Sequence, residues 1–211
     1  MVGTKTDILK DVAGYYTGRF TAHGQTPAGV DWNSHAGQVM RFDQLLKVVD
    51  PSQPYSIADI GCGYGALLDY LVELGHTTRY IGLDIALPMI EAARSRFKAS
   101  PAAVFKLDSS PGEIVDYSVA SGIFNVRLGR SDEEWLAYLI EILDTMNATS
   151  RLGFSFNCLT SYSDADRMRA DLYYANPLDL FDLCKGRYSR QVALLHDYEL
   201  YEFTMIVRKQ L

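Results

Sequence analysis

The sequence has 211 residues, of which 48% are hydrophobic and 22% charged, and a net charge of −6 at pH 7. This length suits one domain with a sizeable core, and the composition is that of an ordinary globular protein. The acidic balance argues against a nucleic-acid partner, no apolar run approaches the roughly 20 residues of a membrane span, and the three cysteines form neither a disulfide framework nor a metal motif. We therefore expect a cytoplasmic protein without a metal ion, a membrane anchor or a nucleic-acid partner.

The first fifty residues are predicted to form a helical extension of the same domain. Residues 6–16 and 34–49 show the hydrophobic spacing of helices, and residues 17–33 between them read as a polar, glycine-containing loop with a single Trp32. Open α/β sheets bind their ligands at the carboxyl ends of the strands. A segment that precedes such a sheet can close over this edge. We therefore predict that residues 1–50 act as a lid on a ligand-binding domain at residues 51–211.

A strand, a glycine-rich turn and a helix open the second part of the chain. Residues 56–60 read as a short buried strand, glycines follow at alternate positions 61, 63 and 65, and leucines with one valine then recur at helical spacing from residue 67 to 74. Glycine is costly to order, so a cluster indicates a sharp turn or a close approach of the backbone to something else. This order of elements is typical of a nucleotide-binding unit.

Strands and helices continue to alternate beyond this unit. Further strands are predicted at residues 78–84, 102–108, 116–122 and 151–159, and the last helices begin with a Ser131/Glu134 capping box and with the Asn176-Pro177 pair. Residues 191–209 contain two β-rich runs close enough to pair as a hairpin. The sequence therefore predicts an α/β fold, a Rossmann-like doubly wound sheet of seven mostly parallel strands with an antiparallel strand from the C-terminal hairpin.

Two kinds of nucleotide fit the glycine turn. Gly61-x-Gly63-x-x-Ala66 followed by Asp84 matches the dinucleotide fingerprint, which keeps an NAD-type oxidoreductase open as an alternative. Three acidic residues favour a ligand other than a dinucleotide. Asp59 lies inside the end of the first strand, and Asp84 and Asp108 lie at the ends of the next two strands. A carboxylate at the position of Asp59 suits an ammonium group better than a pyrophosphate, and the closing hairpin is not part of the dinucleotide fold.

Four segments together carry a family resemblance. ADIGCGYG, IGLDIALPMIEAAR, FKLDSS and YSVASGIFN begin at residues 58, 81, 105 and 117, and this series resembles the motifs of class I S-adenosylmethionine-dependent methyltransferases. The similarity covers residues 55–211, and the terminal segments resemble a group of small bacterial members of unassigned substrate. The resemblance implies S-adenosylmethionine as cofactor, S-adenosylhomocysteine as product and in-line transfer of a methyl group to an acceptor.

The resemblance also implies which residues contact the cofactor. It places Asp59 near the ammonium group, Asp84 on both ribose hydroxyls and Asp108 on the adenine edge. The other cofactor contacts that we predict are the turn residues Gly61, Cys62, Gly63 and Gly65, the apolar bed Ile85 and Met89, the Ser109 amide beside the adenine, Ser121 and Gly122 beside the methyl donor, Trp32 in the lid, and Arg41 on the cofactor carboxylate.

Catalysis needs a base only where the acceptor must lose a proton. His23, His35 and His196 are the candidates, and no catalytic residue is assigned. The SGIFN segment lacks the Asn/Asp-Pro-Pro-aromatic pattern of enzymes that methylate base amino groups, and no Pro-Cys pair stands there, which favours a small-molecule acceptor. An aminopropyl transferase would need an acidic cluster for a polyamine, which we do not find. A non-catalytic S-adenosylmethionine-binding module remains an alternative.

Overall fold

Residues 5–32 and 34–209 are described by a computed structural model of the chain. The helices are α1 (Lys5–His23), α2 (His35–Leu46), α3 (Ala66–Glu73), α4 (Leu87–Arg96), α5 (Asp132–Thr149) and α6 (Pro177–Arg187). The strands are β1 (Tyr55–Ile60), β2 (Thr78–Asp84), β3 (Ala103–Leu107), β4 (Val115–Ala120), β5 (Ser150–Thr160), β6 (Tyr174–Ala175), β7 (Gln191–Leu195) and β8 (Glu202–Arg208). Short 3₁₀ turns occupy Pro27–Val30 and Ala165–Arg167.

The strands form a mixed sheet in the order β3-β2-β1-β4-β5-β8-β7. Neighbouring strands from β3 to β5 are parallel, and β8 is antiparallel to both β5 and β7. The predicted doubly wound sheet with an antiparallel C-terminal strand is therefore confirmed. The two-residue strand β6, which pairs with the end of β5, was not predicted. Because the chain order reverses between β1 and β4, a crevice opens at their carboxyl ends, where sheets of this kind bind ligands.

The helices cover both faces of the sheet. Side chains alternate between the faces along each strand, so that in β1 Ile57 joins one apolar cluster and Ala58 the other. Helices α1, α5 and α6 pack on the face of Ala58, with Trp135 of α5 fully buried there, and α2, α3 and α4 pack on the face of Ile57. None of the helices in the described ranges is long and apolar enough to cross a bilayer.

Two helix starts confirm the predictions made from capping residues. The Ser131 hydroxyl accepts a hydrogen bond from the Glu134 amide at 3.2 Å, and the Glu134 side chain accepts one from the Ser131 amide, which completes the capping box of α5. The Asn176 side chain accepts from the Leu178 amide at 3.0 Å, with Pro177 in the first turn of α6. Both signals are local in sequence.

The predicted loop at residues 17–33 is wrong in its first part. Helix α1 continues to His23, and the chain leaves the helix at Gly24, whose φ of +62° lies in the left-handed region and whose amide donates to the Phe20 carbonyl at 2.7 Å. Nothing between Thr17 and His23 forces the backbone out of a helix, because Gly18 alone costs only about 1 kcal/mol there. A 3₁₀ turn then brings Trp32 towards the sheet.

Candidate active site

A cavity, here called the first cavity, lies at the carboxyl ends of β1, β2 and β4, where the strand order reverses. It brings together most of the residues that the sequence analysis selected as cofactor contacts. These are Trp32, Asp59, Gly61, Cys62, Gly63, Asp84, Ile85, Met89, Asp108, Ser109 and Ser121.

The remaining selected residues lie elsewhere. Gly65 precedes α3 and faces the Phe97 ring, while Arg41 and Gly122 line a second cavity beside the first. The three histidines line neither cavity, and all are exposed: His23 ends α1, His35 begins α2, and His196 lies between β7 and β8. Within the described ranges, no histidine is therefore among the residues that line either cavity.

The first glycine of the turn has a conformation and surroundings that exclude other residues. Gly61 has a φ of +76°, and a Cβ atom placed on it would lie 2.1 Å from the Ile123 Cγ2 atom. The Gly61 and Cys62 amides both donate to the Leu83 carbonyl, at 2.7 and 2.8 Å, which joins the turn to the end of β2. Position 61 requires glycine because the backbone turns sharply there and leaves no space for a side chain.

The third residue of the turn and the end of β2 form one hydrogen-bonded unit. The Gly63 amide donates to Asp84 Oδ2 at 2.9 Å, and the Ala86 amide donates to Asp84 Oδ1 at 2.8 Å. Burial raises the pKa of Asp84, and these amide hydrogen bonds oppose that rise. A Cβ on Gly63 would lie 2.9 Å from Val30 Cγ1, so the N-terminal extension packs directly on the turn.

Asp59 is a carboxylate enclosed in the first cavity. Its side chain is 3% exposed and accepts a hydrogen bond of 2.5 Å from the Tyr80 hydroxyl. Burial raises the pKa of Asp59 to about 7, the nearby charge of Asp84 adds to the rise, and the Tyr80 hydrogen bond lowers it. Among the described residues, no lysine or arginine forms an ion pair with Asp59 or Asp84.

The outer part of the cavity is formed by the ends of β3 and β4. The exposed Asp108 accepts hydrogen bonds from the Ser109 and Ser110 amides at 2.7 and 3.1 Å, and its own amide donates to the Asp84 carbonyl at 3.1 Å. The Ser121 hydroxyl, after β4, is buried and has no hydrogen-bond partner in the described part of the chain. A ligand or a water molecule in the cavity can complete the hydrogen bonding of such a hydroxyl.

The second cavity has a volume of about 430 Å³ and shares part of its wall with the first. Tyr16, Val30 and Trp32 line both cavities, and all three belong to the N-terminal extension. Sequence reasoning missed two buried polar residues near this wall, Asn157 in β5 and Glu202 in β8. The available signal was a polar side chain beside apolar ones, with Asn157 between Phe156 and Cys158 and Glu202 directly before Phe203.

Comparison with known proteins identifies the family. Residues 57–149 match the family described as "Methyltransferase domain". Over 164 residues the chain is 58% identical to the protein named "Putative methyltransferase Rv1506c" of Mycobacterium tuberculosis (strain ATCC 25618 / H37Rv), which covers 78% of this chain and 99% of that protein. The chain therefore belongs to the class I S-adenosylmethionine-dependent methyltransferases.

Solved structures with low sequence identity share the fold. The 1,6-didemethyltoxoflavin-N1-methyltransferase of Burkholderia thailandensis superimposes with a TM-score of 0.67 at 16% identity, over 99% of this chain and 92% of that one. The N-methyltransferase NodS of Bradyrhizobium japonicum WM9 gives 0.66 at 16% identity, over 93% of this chain and 97% of that one. Both of these structures contain S-adenosylhomocysteine.

Proposed function

We propose that this enzyme transfers the methyl group of S-adenosylmethionine to a small molecule held in the second cavity, with the cofactor in the first. The observation that carries the proposal is a pair of buried carboxylates, Asp59 and Asp84, without a cationic partner in the described residues. Buried charges are normally paired, so a cavity that encloses two of them suits a cationic ligand. S-adenosylmethionine has an ammonium group, a sulfonium group and two ribose hydroxyls.

The residues of the first cavity fit the parts of this cofactor. A carboxylate offers about four lone-pair positions, so the two amide hydrogen bonds to Asp84 leave positions for two ribose hydroxyls. We assign the ammonium group to Asp59 and the adenine edge to Asp108 with the Ser109 amide. Ser121, whose buried hydroxyl has no partner among the described residues, faces the cofactor in this proposal. Arg41 is not assigned to the cofactor carboxylate, because Glu202 already holds its guanidinium group.

Bound there, S-adenosylmethionine supplies an activated methyl group on a neutral leaving group. The protein's part is then to orient the acceptor, hold the two reactants together and exclude water. Tyr16, Val30 and Trp32 contribute the wall that both cavities share. This arrangement supports a lid role for residues 1–50, with residues 51–211 as the cofactor-binding domain.

Size and lining support a small acceptor. A volume of about 430 Å³ falls within the range of about 300–1,000 Å³ typical of small-molecule sites. Tyr16, Trp32, Tyr174 and Tyr201 give this cavity aromatic surface on several sides. The Burkholderia thailandensis relative binds 1,6-didemethyltoxoflavin, a small molecule. The net charge of −6 does not favour a polyanion such as RNA.

Calorimetry tests the cofactor. S-adenosylmethionine and S-adenosylhomocysteine are each titrated into the protein, with NAD as the competing nucleotide. We expect micromolar binding of the first two and none of NAD. Binding of NAD without either sulfur-containing ligand would overturn the proposal.

A labelling experiment tests the acceptor class. The protein and methyl-labelled S-adenosylmethionine are incubated with a bacterial extract separated into small molecules, RNA and protein. We expect label in the small-molecule fraction, and much less with Asp84→Ala as the matched inactive variant. Label that enters only RNA or protein would contradict a small-molecule acceptor.

A further inference from the structure

Trp32 lies in the wall between the two cavities. Its indole lines both of them and packs on Gly122, where a Cβ atom would lie 2.2 Å from the ring atoms Cη2 and Cζ2. Gly122 has a φ of +73° and directly follows Ser121, which lines the first cavity. The six-membered ring of the indole is therefore inserted against the turn after β4.

Arg41 supports the indole on another side. The carbon at the centre of its guanidinium group lies 3.8 Å from the centre of the Trp32 ring, which is the geometry of a cation–π contact. Its Nη1 atom also donates to the Gly37 carbonyl at 2.8 Å, within helix α2. A planar guanidinium group held in this way fixes the plane of the ring that stacks on it.

Glu202, which lies on strand β8 of the sheet, binds the guanidinium group of Arg41. The Arg41 Nε atom donates to both carboxylate oxygens of Glu202, at 3.0 and 2.9 Å, and Nη2 donates to Oε1 at 2.5 Å. Arg41 is 8% exposed and Glu202 1%. Burying two charges costs free energy because both lose their hydration. The Arg41–Glu202 pair is therefore weak evidence for a gain in folding stability, and it better indicates that the two side chains are held in a fixed geometry.

Asn157 closes these contacts into a ring. Its Nδ2 atom donates to Glu202 Oε2 at 2.5 Å, and its Oδ1 atom accepts from the Gly122 amide at 2.7 Å. Asn157 is fully buried in β5. The glycine under the indole and the arginine that stacks on it are therefore connected through Glu202 and Asn157, which lie on two adjacent strands.

We propose that this ring of contacts positions Trp32 as the partition between the cofactor and acceptor cavities, and that it controls the release of the bound cofactor product. Of these residues only Trp32 lines the cofactor cavity, so Arg41, Glu202 and Asn157 are positioning residues for the cofactor product, although Arg41 and Glu202 also line the acceptor cavity. The inference rests on the proposed function, because it takes the first cavity as the cofactor site. Reactants in methyl transfer must meet within about 3–3.5 Å, so the residue between the two cavities determines how they meet.

The dissociation rate of S-adenosylhomocysteine tests the proposal without knowledge of the acceptor. The double variant Arg41→Met/Glu202→Leu removes both charges and avoids an unpaired one, so we expect it to fold. Stopped-flow tryptophan fluorescence should show release about tenfold faster than from the wild type, since such changes act mainly on dissociation rates. Trp32→Ala lacks the fluorescent reporter, so the release of S-adenosylhomocysteine labelled in its adenosyl part is followed on filters for this variant and the wild type, and it should be faster by a similar factor.

The decisive comparison is the combination of all three substitutions. If Arg41 and Glu202 act through Trp32, the triple variant releases the ligand no faster than Trp32→Ala. The inference is wrong if the effects of the double variant and of Trp32→Ala on the release rate multiply in the triple variant, or if no variant changes the rate. Arg79→Gln/Glu113→Gln removes an exposed ion pair distant from both cavities and should leave the rate unchanged. Failure of the wild-type chain to bind S-adenosylhomocysteine would instead overturn the proposed function, and this inference with it.

Discussion

Burial determines the protonation of Asp59. Its carboxyl group is enclosed at the end of β1, and burial raises its pKa to about 7 from an ordinary value of 3.8. At pH values between 3.8 and about 7, the carboxyl group of Asp59 is therefore protonated in the folded protein and ionised in the unfolded chain. The contribution of Asp59 to stability must therefore fall as pH rises from about 4 to about 7, because the folded state has to give up that proton, and this contribution stays low above pH 7.

Asp59→Asn should remove this pH dependence. The amide keeps an acceptor for the Tyr80 hydroxyl and has no charge to bury. We expect its free energy of unfolding to exceed that of the wild type at pH 8 by about 2–4 kcal/mol, since one pKa unit corresponds to about 1.4 kcal/mol. At pH 4 the two proteins should be alike. Urea unfolding at both pH values measures the difference. If the free energy of unfolding changes with pH equally in the two proteins, the pKa of Asp59 is not raised.

Asp84 is expected to contribute to binding more than to folding. Asp84→Asn replaces a charged acceptor of ribose hydroxyls by a neutral one and loses one of its two amide partners. The dissociation constant of S-adenosylhomocysteine should rise about 10- to 100-fold, because hydrogen bonds to charged groups contribute about 1.5–3 kcal/mol. Calorimetry measures the constant, and Asp116→Asn, remote from both cavities, is the matched control. An unchanged constant in folded Asp84→Asn would show that another group binds the ribose.

At the scale of elements, the N-terminal extension and the sheet edge form one site. Helix α1 supplies Tyr16 and the 3₁₀ turn supplies Val30, and both pack over the carboxyl ends of the strands. The Tyr15 hydroxyl donates to Asp31 Oδ2 at 2.8 Å, and Arg19 forms an ion pair with Asp31 at 2.9 Å. These contacts fasten the turn to α1, so the two should move as one unit.

Ligand binding should therefore protect this segment from proteolysis. Chymotrypsin cleavage after Phe20 or Trp32 requires the chain around each of these residues to leave its packed position. We expect S-adenosylhomocysteine to slow this cleavage several-fold, with trypsin cleavage at the exposed Arg190, which lies between α6 and β7 and lines neither cavity, as the internal control. Mass spectrometry of timed digests identifies both products. Equal slowing at the two sites would indicate general stabilisation and contradict a lid role for residues 1–50.

At the scale of the whole molecule, both faces of the sheet are closed by helices, and the three cysteines lie inside. Cys62, Cys158 and Cys184 are buried and free. Burial raises the pKa of the Cys62 and Cys158 thiols well above the ordinary value, and it raises the pKa of Cys184 to about 12. Thiol reactivity depends on the thiolate, so burial and protonation both oppose modification.

We expect no thiol to react with Ellman's reagent in the native protein at pH 8, and all three to react in denaturant. Cys62 lines the first cavity, so any slow native reaction should occur there and should be suppressed by S-adenosylhomocysteine. Absorbance of the released thiolate counts the groups, and peptide mapping locates them. Rapid reaction of Cys158 or Cys184 in the native protein would contradict the packing of β5 or α6.

Much of the sheet and of the first cavity could be predicted because the signals are local. The glycine turn, the acids at three strand ends and the caps of α5 and α6 each depend on residues within a few positions of one another. Parallel strands bring their carboxyl ends to one edge, so Asp59, Asp84 and Asp108 were expected to line one site, as they do. In this part of the chain, the sequence by itself determined the strands, the helix starts and the acidic residues that line the first cavity.

Only the tertiary structure decided the partners of Arg41 and Trp32. Arg41 bonds to Glu202, 161 positions later, and Trp32 packs on Gly122, which follows β4. No local pattern encodes such contacts, because they depend on how the extension, β5 and β8 meet once the sheet has formed. The same holds for the second cavity, whose walls come from distant segments of the chain. Sequence predicts what the short-range backbone geometry dictates, whereas the partition between the cavities follows from long-range packing.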